Sequence, residues 1–327
     1  MMHTSTRTDP HAGTDTDPES ASDGDCEPES GSVSHTPRSS TIEDADAEID
    51  RIASFLRDAV ADADADGVVI NMSGGLDSTV TAALAVEALG PERVYGLILP
   101  CNKIGALHAR DAEGLADALG IEHDTIHIQP LFAAFGSVAP DRFDLHDEPV
   151  LTGNAIARLR MTIAYLAANA TDCLVCGTTN RSERLLGYTT KHGDGAADIL
   201  PIGDLYKTEV RVLAAALDVP EFVVEKPPTA GFLPGQRDVD DLGAPYEVID
   251  AVLRAAVDEG VGNAATDADA DPVAIAERVA SRADALDGSD TSPDPELVVR
   301  LLERYRSTAH KRRTPPTPGR PDGMGGE

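Results

Sequence analysis

The chain has 327 residues, of which 41% are hydrophobic, so it is long enough to bury one large core or two modest ones. Its formal net charge of -30 argues against a large interface with a nucleic-acid backbone and is typical of a protein adapted to high salt. No run of 18 apolar residues and no charged-then-apolar leader occurs, so neither a membrane span nor a signal peptide is predicted and a cytoplasmic location is expected.

The N-terminal region divides into a tail and a first helix. Residues 1–40 consist largely of Ser, Thr, Asp, Pro and Gly, which predicts a disordered acidic tail because there is too little apolar surface to bury. Ordered structure is predicted to begin at Thr41, which would form a capping box with Asp44. Apolar residues then recur with helical spacing at Ile49, Ile52, Phe55, Leu56 and Val60.

Strands and helices then alternate along the chain. Strands are predicted at 67–72, 93–100, 123–128 and 173–178, and helices at 77–89, 106–119, 153–170 and 205–217. This alternation predicts an α/β fold with a doubly wound parallel sheet, in which ligands bind beyond the carboxyl ends of the strands. From Tyr246 onwards the chain is predicted to be helical, with an acidic surface loop at about 260–272 and a last helix at 296–308. One domain is predicted over 41–313, followed by a flexible tail at 314–327.

The four cysteines, Cys26, Cys101, Cys173 and Cys176, fit no disulfide framework in a chain of this length. Two of them form a CxxC within the segment DCLVCGT. That segment is predicted to be a buried strand, in which residues three apart face opposite sides. Because no second CxxC or histidine pair completes a zinc site, structural cysteines are predicted.

The segment NMSGGLDSTV, residues 71–80, lies between the first predicted strand of the sheet and the next helix. Its glycines let the backbone approach a ligand, and the N–H groups of the loop and helix start can converge on an anion. Ser73 and Ser78 add hydroxyl groups, whereas the carboxylate of Asp77 would repel a phosphate unless a divalent cation lies between them. In an isolated fragment, Ser73 would be a turn residue and Asp77 a helix-start carboxylate. The strand-loop-helix context predicts a phosphate site instead.

SGGLDS resembles the pyrophosphate-loop signature of enzymes that activate a carboxylate or carbonyl oxygen by adenylation. Alone, it fits NAD, GMP and asparagine synthetases as well as the tRNA-modifying thiolases and lysidine synthetases. Three further segments are similar to regions of the NAD synthetases, namely GTTNRSERLLGYTTKHGDGAADILPIGDLYKTEVR at 177–211, EKPPTAGFLPGQRDVDDLGAPYEVID at 225–250 and AHKRRTPP at 309–316. The GTTN form, with Asn180, resembles the archaeal branch of that family, and the resemblance covers 42–316.

The resemblance implies an adenine nucleotide alpha hydrolase-like, Rossmann-like fold and a two-step reaction. Nicotinic acid adenine dinucleotide (deamido-NAD) would attack the α-phosphorus of ATP to give an acyl adenylate and pyrophosphate. Ammonia would then displace AMP and give NAD. The resemblance also implies Mg²⁺ as cofactor and a homodimer with the dinucleotide bound across its interface. The region before residue 41 is too short for a glutaminase domain, so the chain is expected to use free ammonia or ammonia from a separate partner.

The resemblance also implies roles for individual residues. The ATP-binding positions would be Asn71, Met72, Ser73, Gly74, Gly75, Leu76, Asp77, Ser78, Thr178, Lys207 and Thr229. Magnesium would be held by Asp77 and Glu183, and the catalytic residues would be Asp77 and Lys207. The deamido-NAD positions would be Arg158, Lys191, Asp198, His310 and Lys311.

Several alternatives remain open from the residues alone. Glu183 and Lys207 can be exposed helix side chains, and Arg158 lies on an ordinary helical face. HKRR can be a solvated basic tail or a nucleic-acid contact, and the roles of Lys103 and Lys226 stay open. The competing functions are a tRNA thiolase, which would need a basic surface and reactive cysteines, and a non-catalytic nucleotide-binding module, which has no need for the carboxylates and lysine.

Overall fold

The computed structural model describes residues 42, 44–145, 147–229, 231, 235–261, 272–287 and 293–316. The predicted N-terminal tail, Cys26 and Thr41 lie outside these ranges, as do 262–271 of the predicted acidic loop and 317–327 of the predicted C-terminal tail. Among the described residues, no helix combines the length and the apolar composition that crossing a bilayer requires.

In the described part of the chain, the sheet consists of four parallel strands, namely β1 (Gly67–Asn71), β2 (Val94–Ile98), β3 (Glu122–Thr125) and β4 (Cys173–Cys176). Their spatial order is β3-β2-β1-β4, so the chain steps outward in one direction from β1 and then returns to its other side at β4. This reversal confirms the predicted doubly wound parallel sheet. It also places a crevice beyond the carboxyl ends of β1 and β4, where such sheets bind ligands.

The helices before β4 are α1 (Ala45–Asp62), α2 (Leu76–Leu89), α3 (Lys103–Leu119), α4 (Gln129–Val138) and α5 (Pro149–Ala170). Those after β4 are α6 (Arg181–Leu186), α7 (Lys207–Ala216), α8 (Glu221–Val224), α9 (Asp238–Leu242), α10 (Tyr246–Asp258), α11 (Pro272–Asp287) and α12 (Pro295–Ser307). Single 3-10 turns occur at Pro91–Arg93, Asp141–Phe143 and Ala309–Lys311.

Helices cover both faces of the sheet. Val68 and Ile70 of β1 belong to a core formed with α1, α2, α3 and α7, whereas Val69 belongs to a second core formed with α5. Successive side chains of a strand point to opposite faces, so a strand covered on both sides must be apolar throughout. The uninterrupted apolar sequence of β1 therefore follows from its central position.

A third core forms the helical C-terminal part that the sequence predicts. It packs α10, α11 and α12 together through buried aliphatic side chains, among them Ile249, Val279 and Leu301. Leu186 at the end of α6 and Tyr206 just before α7 belong to the same core. The C-terminal helices therefore pack directly against the segments that follow β4.

Some predicted boundaries are corrected by local capping. The predicted capping box at Thr41 is wrong, because α1 begins at Ala45 and the Asp44 carboxylate accepts a 3.0 Å hydrogen bond from the Ala47 N–H. Phe55 is exposed on the outer face of α1. The third helix begins three residues earlier than predicted because the Asn102 side chain accepts from the Gly105 N–H at 2.7 Å. The short helices α4 and α6 were not predicted.

The three cysteines in the described part of the chain are free thiols, in agreement with the prediction. Cys101 and Cys176 are buried, and Cys173 is half-buried. Burial raises the pKa of the Cys176 thiol well above its ordinary value. Cys176 is therefore a packing residue rather than a reactive thiol.

Candidate active site

The SGGLDS segment forms the turn between β1 and α2. Gly74 has φ +72°, and a Cβ at this position would lie 2.8 Å from the His108 carbonyl oxygen. The position therefore requires glycine. The hydroxyl groups of Ser73 and Ser78 lie 3.1 Å apart, and the Ser78 hydroxyl also donates to the Gly75 carbonyl at 3.1 Å. The two serines thus hold the turn together.

The start of α2 faces the crevice with free donor capacity. Gly75 occupies the N-cap position and has no side chain to accept a hydrogen bond from the first turn. The first N–H groups of a helix have no partner within the helix, and the helix dipole adds positive potential there. The segment therefore has the local structure of an anion-binding site.

An acid–lysine cluster lies beside this turn. The Lys207 ammonium group contacts the Asp77 carboxylate and lies 3.8 Å from Glu183 Oε1. The Lys207 side chain is 4% exposed and those of Asp77 and Glu183 are each 18% exposed, so the alternatives of an exposed helix lysine and an exposed helix carboxylate are wrong. The sheet topology brings these residues together from α2, α6 and α7.

Burial and charge set the protonation of this cluster. Burial alone would lower the pKa of Lys207, but Asp77 and Glu183 outweigh it and raise that pKa, so the ammonium stays charged. Burial, and then the charge of Asp77, raise the pKa of Glu183 well above its usual value. The site thus concentrates negative charge that a single lysine only partly compensates.

Asn180 connects the two acids, a role that the sequence analysis missed. Its side-chain oxygen accepts from the Glu183 N–H at 3.0 Å, and its amide nitrogen donates to Asp77 Oδ1 at 3.0 Å. The Glu183 carboxylate in turn accepts from the Asn180 N–H at 3.3 Å, which completes a capping box at the start of α6. The Asn-x-x-Glu spacing is the sequence signal that indicates such a box.

Two tyrosines and two aspartates near Lys207 form a hydrogen-bonded group, which the sequence analysis also did not predict. The Lys207 ammonium is 5.5 Å from the centre of the Tyr246 ring, a cation–π distance. The Tyr246 hydroxyl donates to Asp238 at 2.9 Å, and the Tyr188 hydroxyl donates to Asp238 at 3.2 Å and to Asp241 at 2.7 Å. Burial raises the pKa of Asp238. These groups extend the negative environment of Lys207.

The segment at 225–250 reaches the SGGLDS turn through Lys226. Its ammonium group donates to the Gly74 carbonyl at 3.2 Å and to Asp111 Oδ2 at 3.0 Å. Thr229 follows on an exposed turn, where its hydroxyl accepts from the Gly231 N–H at 3.0 Å. Lys226 therefore links the segment at 225–250 to SGGLDS.

Most of the predicted ATP and metal positions line one cavity of about 700 Å³. They are Asn71, Met72, Ser73, Gly75, Leu76, Asp77, Ser78, Thr178, Glu183, Lys207 and Thr229. Gly74 adjoins the same cavity through its contact with Lys226. The structure thus brings these sequence-predicted residues together.

The residues predicted for deamido-NAD divide into two groups. Arg158 Nε donates to the Lys191 carbonyl at 3.2 Å, and the Lys191 ammonium donates to the His310 carbonyl at 2.8 Å. Lys311 lines the cavity and donates to the Gly187 and Thr189 carbonyls at 2.7 and 2.6 Å.

Asp198 lies apart from these cations, on the outer side of β4. Its carboxylate accepts from the Val175 N–H at 2.8 Å and from the Tyr165 hydroxyl at 3.2 Å. Contacts to backbone carbonyls therefore connect Arg158, Lys191 and His310 into a basic cluster next to Lys311, which lines the cavity, and Asp198 supports the edge strand.

A model of the NAD synthase family matches residues 48–285. The chain belongs to the NAD synthase family. It is 41% identical over 269 residues to the NH(3)-dependent NAD(+) synthetase of Halobacterium salinarum strain R1, covering 82% of this chain and 91% of that protein.

Solved structures place the fold in the same family. The chain is similar to the NMN synthetase of Francisella tularensis, with a TM-score of 0.65 and 34% identity over 84% of this chain and 98% of that one. It is also similar to the NH3-dependent NAD synthetase of Campylobacter jejuni in complex with nitrate, with a TM-score of 0.63 and 27% identity over 84% and 99% of the two chains. The adenine nucleotide alpha hydrolase-like sheet with a helical C-terminal part is thus the architecture of the family.

Proposed function

We propose that the chain is a carbon–nitrogen ligase that converts deamido-NAD to NAD with ATP and ammonia, the last step of NAD biosynthesis. The observation that carries the proposal is the convergence of Asp77, Glu183 and Lys207 beside the SGGLDS turn in one cavity. Membership of the NAD synthase family supports the same reaction. A cytoplasmic location, expected from the sequence, fits this role.

In the first step, residues 71–78 bind the phosphates of ATP through the turn and the first N–H groups of α2. Thr178 and Thr229 border the nucleotide, and Lys207 supplies positive charge to the phosphate oxygens. The carboxylate of deamido-NAD attacks the α-phosphorus, and the bond to the leaving pyrophosphate breaks. Catalysis at this step rests on positioning and on charge stabilisation.

The acids of the site fit a magnesium ion. Asp77 and Glu183 present hard oxygen ligands to the same cavity, and burial, followed by the charge of Asp77, raises the pKa of Glu183. A dication bound between the two carboxylates would offset their charge. Among the described residues, no third Asp, Glu, His or Cys joins these two carboxylates in a metal-binding group. Oxygen atoms of the nucleotide would therefore supply further ligands. Bound there, Mg²⁺ would neutralise charge on the phosphates of ATP.

In the second step, ammonia attacks the activated carboxyl carbon and AMP leaves. The basic cluster of Arg158, Lys191, His310 and Lys311 would supply cations to the pyrophosphate bridge of deamido-NAD, and its member Lys311 lines the cavity. Asp198 would accept hydrogen bonds from a ribose hydroxyl or from the pyridine end. This part of the proposal rests on the resemblance, because Asp198 lies apart from the basic cluster.

We also propose that the chain forms a homodimer through α4 and α5. Leu131, Phe135 and Val138 follow each other at helical spacing on α4 and are 43%, 45% and 77% exposed. Leu166 of α5 is 68% exposed. An apolar surface of this kind marks an interface, and Arg158 lies on the same helix, so a second copy could bring its basic cluster to the neighbouring site.

Phe135→Asp is expected to convert the dimer to a monomer, because a carboxylate would be buried in the interface. Light scattering coupled to size-exclusion chromatography measures the mass. The matched control is Phe222→Asp on α8, where the side chain is similarly exposed at 55%. A wild-type monomer, or a Phe135→Asp variant that remains dimeric, would contradict this assignment.

The proposed reaction is tested by incubating the protein with ATP, magnesium, ammonium and deamido-NAD and measuring NAD, AMP and pyrophosphate. Equal amounts of the three products are expected, and glutamine in place of ammonium should give little NAD. Nicotinic acid mononucleotide is included as an alternative substrate, because a solved relative is an NMN synthetase. Preference for the mononucleotide would change the substrate assignment, and absence of pyrophosphate would overturn the reaction.

A further inference from the structure

Two buried charged side chains of α10 face the start of α7. Asp250 and Arg254 are 2% and 6% exposed, and they lie four residues apart, so both point to the same side of the helix. Burying charged groups carries a desolvation cost, which apolar residues at these positions would avoid. Their contacts show what the charges are used for.

Asp250 binds the two helices that carry Glu183 and Lys207. One carboxylate oxygen accepts from the Ser182 hydroxyl at 2.5 Å, and the other accepts from the Thr208 N–H at 2.9 Å. The Ser182 hydroxyl in turn accepts from the Lys207 N–H at 2.9 Å. The carboxylate thus satisfies the first N–H groups of α7 directly and through Ser182, which precedes Glu183 on α6.

Arg254 holds the same turn from one helical turn further along α10. Its guanidinium pairs with Glu209 at 3.0 Å and stacks over the Tyr206 ring at 4.1 Å. Glu209 Oε2 accepts from the Tyr206 N–H at 2.8 Å, which fixes the entry of the chain into α7. The backbone on both sides of Lys207 is therefore fixed by α10.

We propose that Asp250 and Arg254 are positioning residues for the proposed reaction, which hold Lys207 and Glu183 in the orientation that the chemistry requires. The inference rests on the proposed function, because its readout is the rate of pyrophosphate release. Lys207 is the first residue of α7, so a small rotation of that turn displaces the ammonium group at the end of a long side chain. Displacements of about 1 Å can reduce rates about 100-fold.

Asp250→Asn is expected to lower kcat by about 10-fold to 100-fold with little change in KM for ATP, since the turn that binds the phosphates is untouched. The matched control is Asp258→Asn, a buried carboxylate of the same helix that pairs with Arg282. The control should keep the wild-type kcat. If Asp250→Asn does not fold, Arg254→Lys serves instead, because it keeps the charge and loses the planar contact with Tyr206.

A double-mutant cycle with Lys207→Met separates positioning from general destabilisation. The rate of pyrophosphate release by each variant is measured under single-turnover conditions. The temperature is one at which circular dichroism shows that all variants are folded. If Asp250 acts through Lys207 and Glu183, Asp250→Asn should cause a clearly smaller loss in the Lys207→Met background than in the wild type, because only its effect on Glu183 remains. Independent, multiplicative losses would overturn the inference, as would a wild-type kcat in the folded Asp250→Asn variant. Failure of the wild-type protein to release pyrophosphate would instead overturn the proposed function.

Discussion

Replacing Asp77 with Asn is expected to lower kcat for NAD formation by about 1000-fold or more while leaving the fold intact. The change removes one of the two carboxylates proposed to hold magnesium and the main partner of the Lys207 ammonium. The substituted side chain keeps its size and can still accept from Asn180 at the position of Oδ1. The loss should therefore appear in pyrophosphate release and not in the melting temperature.

Glu87→Gln is the matched control, because it makes the same chemical change on the exposed side of α2. Its kcat should equal that of the wild type. Turnover by Asp77→Asn within about tenfold of the wild type would remove Asp77 from the chemistry. A large fall in melting temperature would show instead that the carboxylate supports the fold.

Replacing Lys207 with Met is expected to affect both activity and stability. The ammonium is buried between two carboxylates, so its loss leaves uncompensated negative charge and should destabilise the protein by about 3 kcal/mol near neutral pH. The rate of pyrophosphate release should fall by about 100-fold or more, because the positive charge beside the phosphates is lost. Chemical denaturation and single-turnover assays measure the two effects.

The pH dependence of this destabilisation has a definite sign. Lys207 lowers the pKa of Glu183, so its removal raises that pKa further above the unfolded value. The native variant then binds protons more tightly than the unfolded chain, and its stability relative to the wild type should recover as the pH is lowered through the raised pKa of Glu183.

The double variant Asp77→Asn/Lys207→Met tests whether uncompensated negative charge causes the destabilisation. It removes one carboxylate together with the ammonium, so it should be more stable than Lys207→Met alone while remaining inactive. A double variant as unstable as Lys207→Met, or a pH-independent loss, would contradict the electrostatic explanation.

The fold was largely predictable because its central strands are covered on both faces. The apolar run at Val68–Ile70 and the helical spacing around it are direct consequences of that burial. Helix starts were less predictable. Asn102 and Asp44 cap helices through single side-chain hydrogen bonds, and the sequence offers several equivalent capping residues nearby.

The candidate site was predictable where one continuous segment forms it, as in SGGLDS. The resemblance also predicted site roles for Asp77, Glu183 and Lys207, and the structure brings these residues together. Asn180, Asp238 and Tyr246 were missed because their contacts depend on how α6, α9 and α10 pack, which no local pattern specifies. The same holds for the contacts of Asp250 with α6 and α7.

The central claim is that the carboxylate of deamido-NAD is activated by adenylation in the Asp77–Lys207 cavity. Its most direct test uses deamido-NAD labelled with ¹⁸O in both carboxylate oxygens, together with ATP, magnesium and ammonium. The acyl adenylate transfers one labelled oxygen to phosphorus, so AMP should contain one ¹⁸O, NAD should retain one, and pyrophosphate should contain none. Label in orthophosphate with formation of ADP, or unlabelled AMP, would contradict the account.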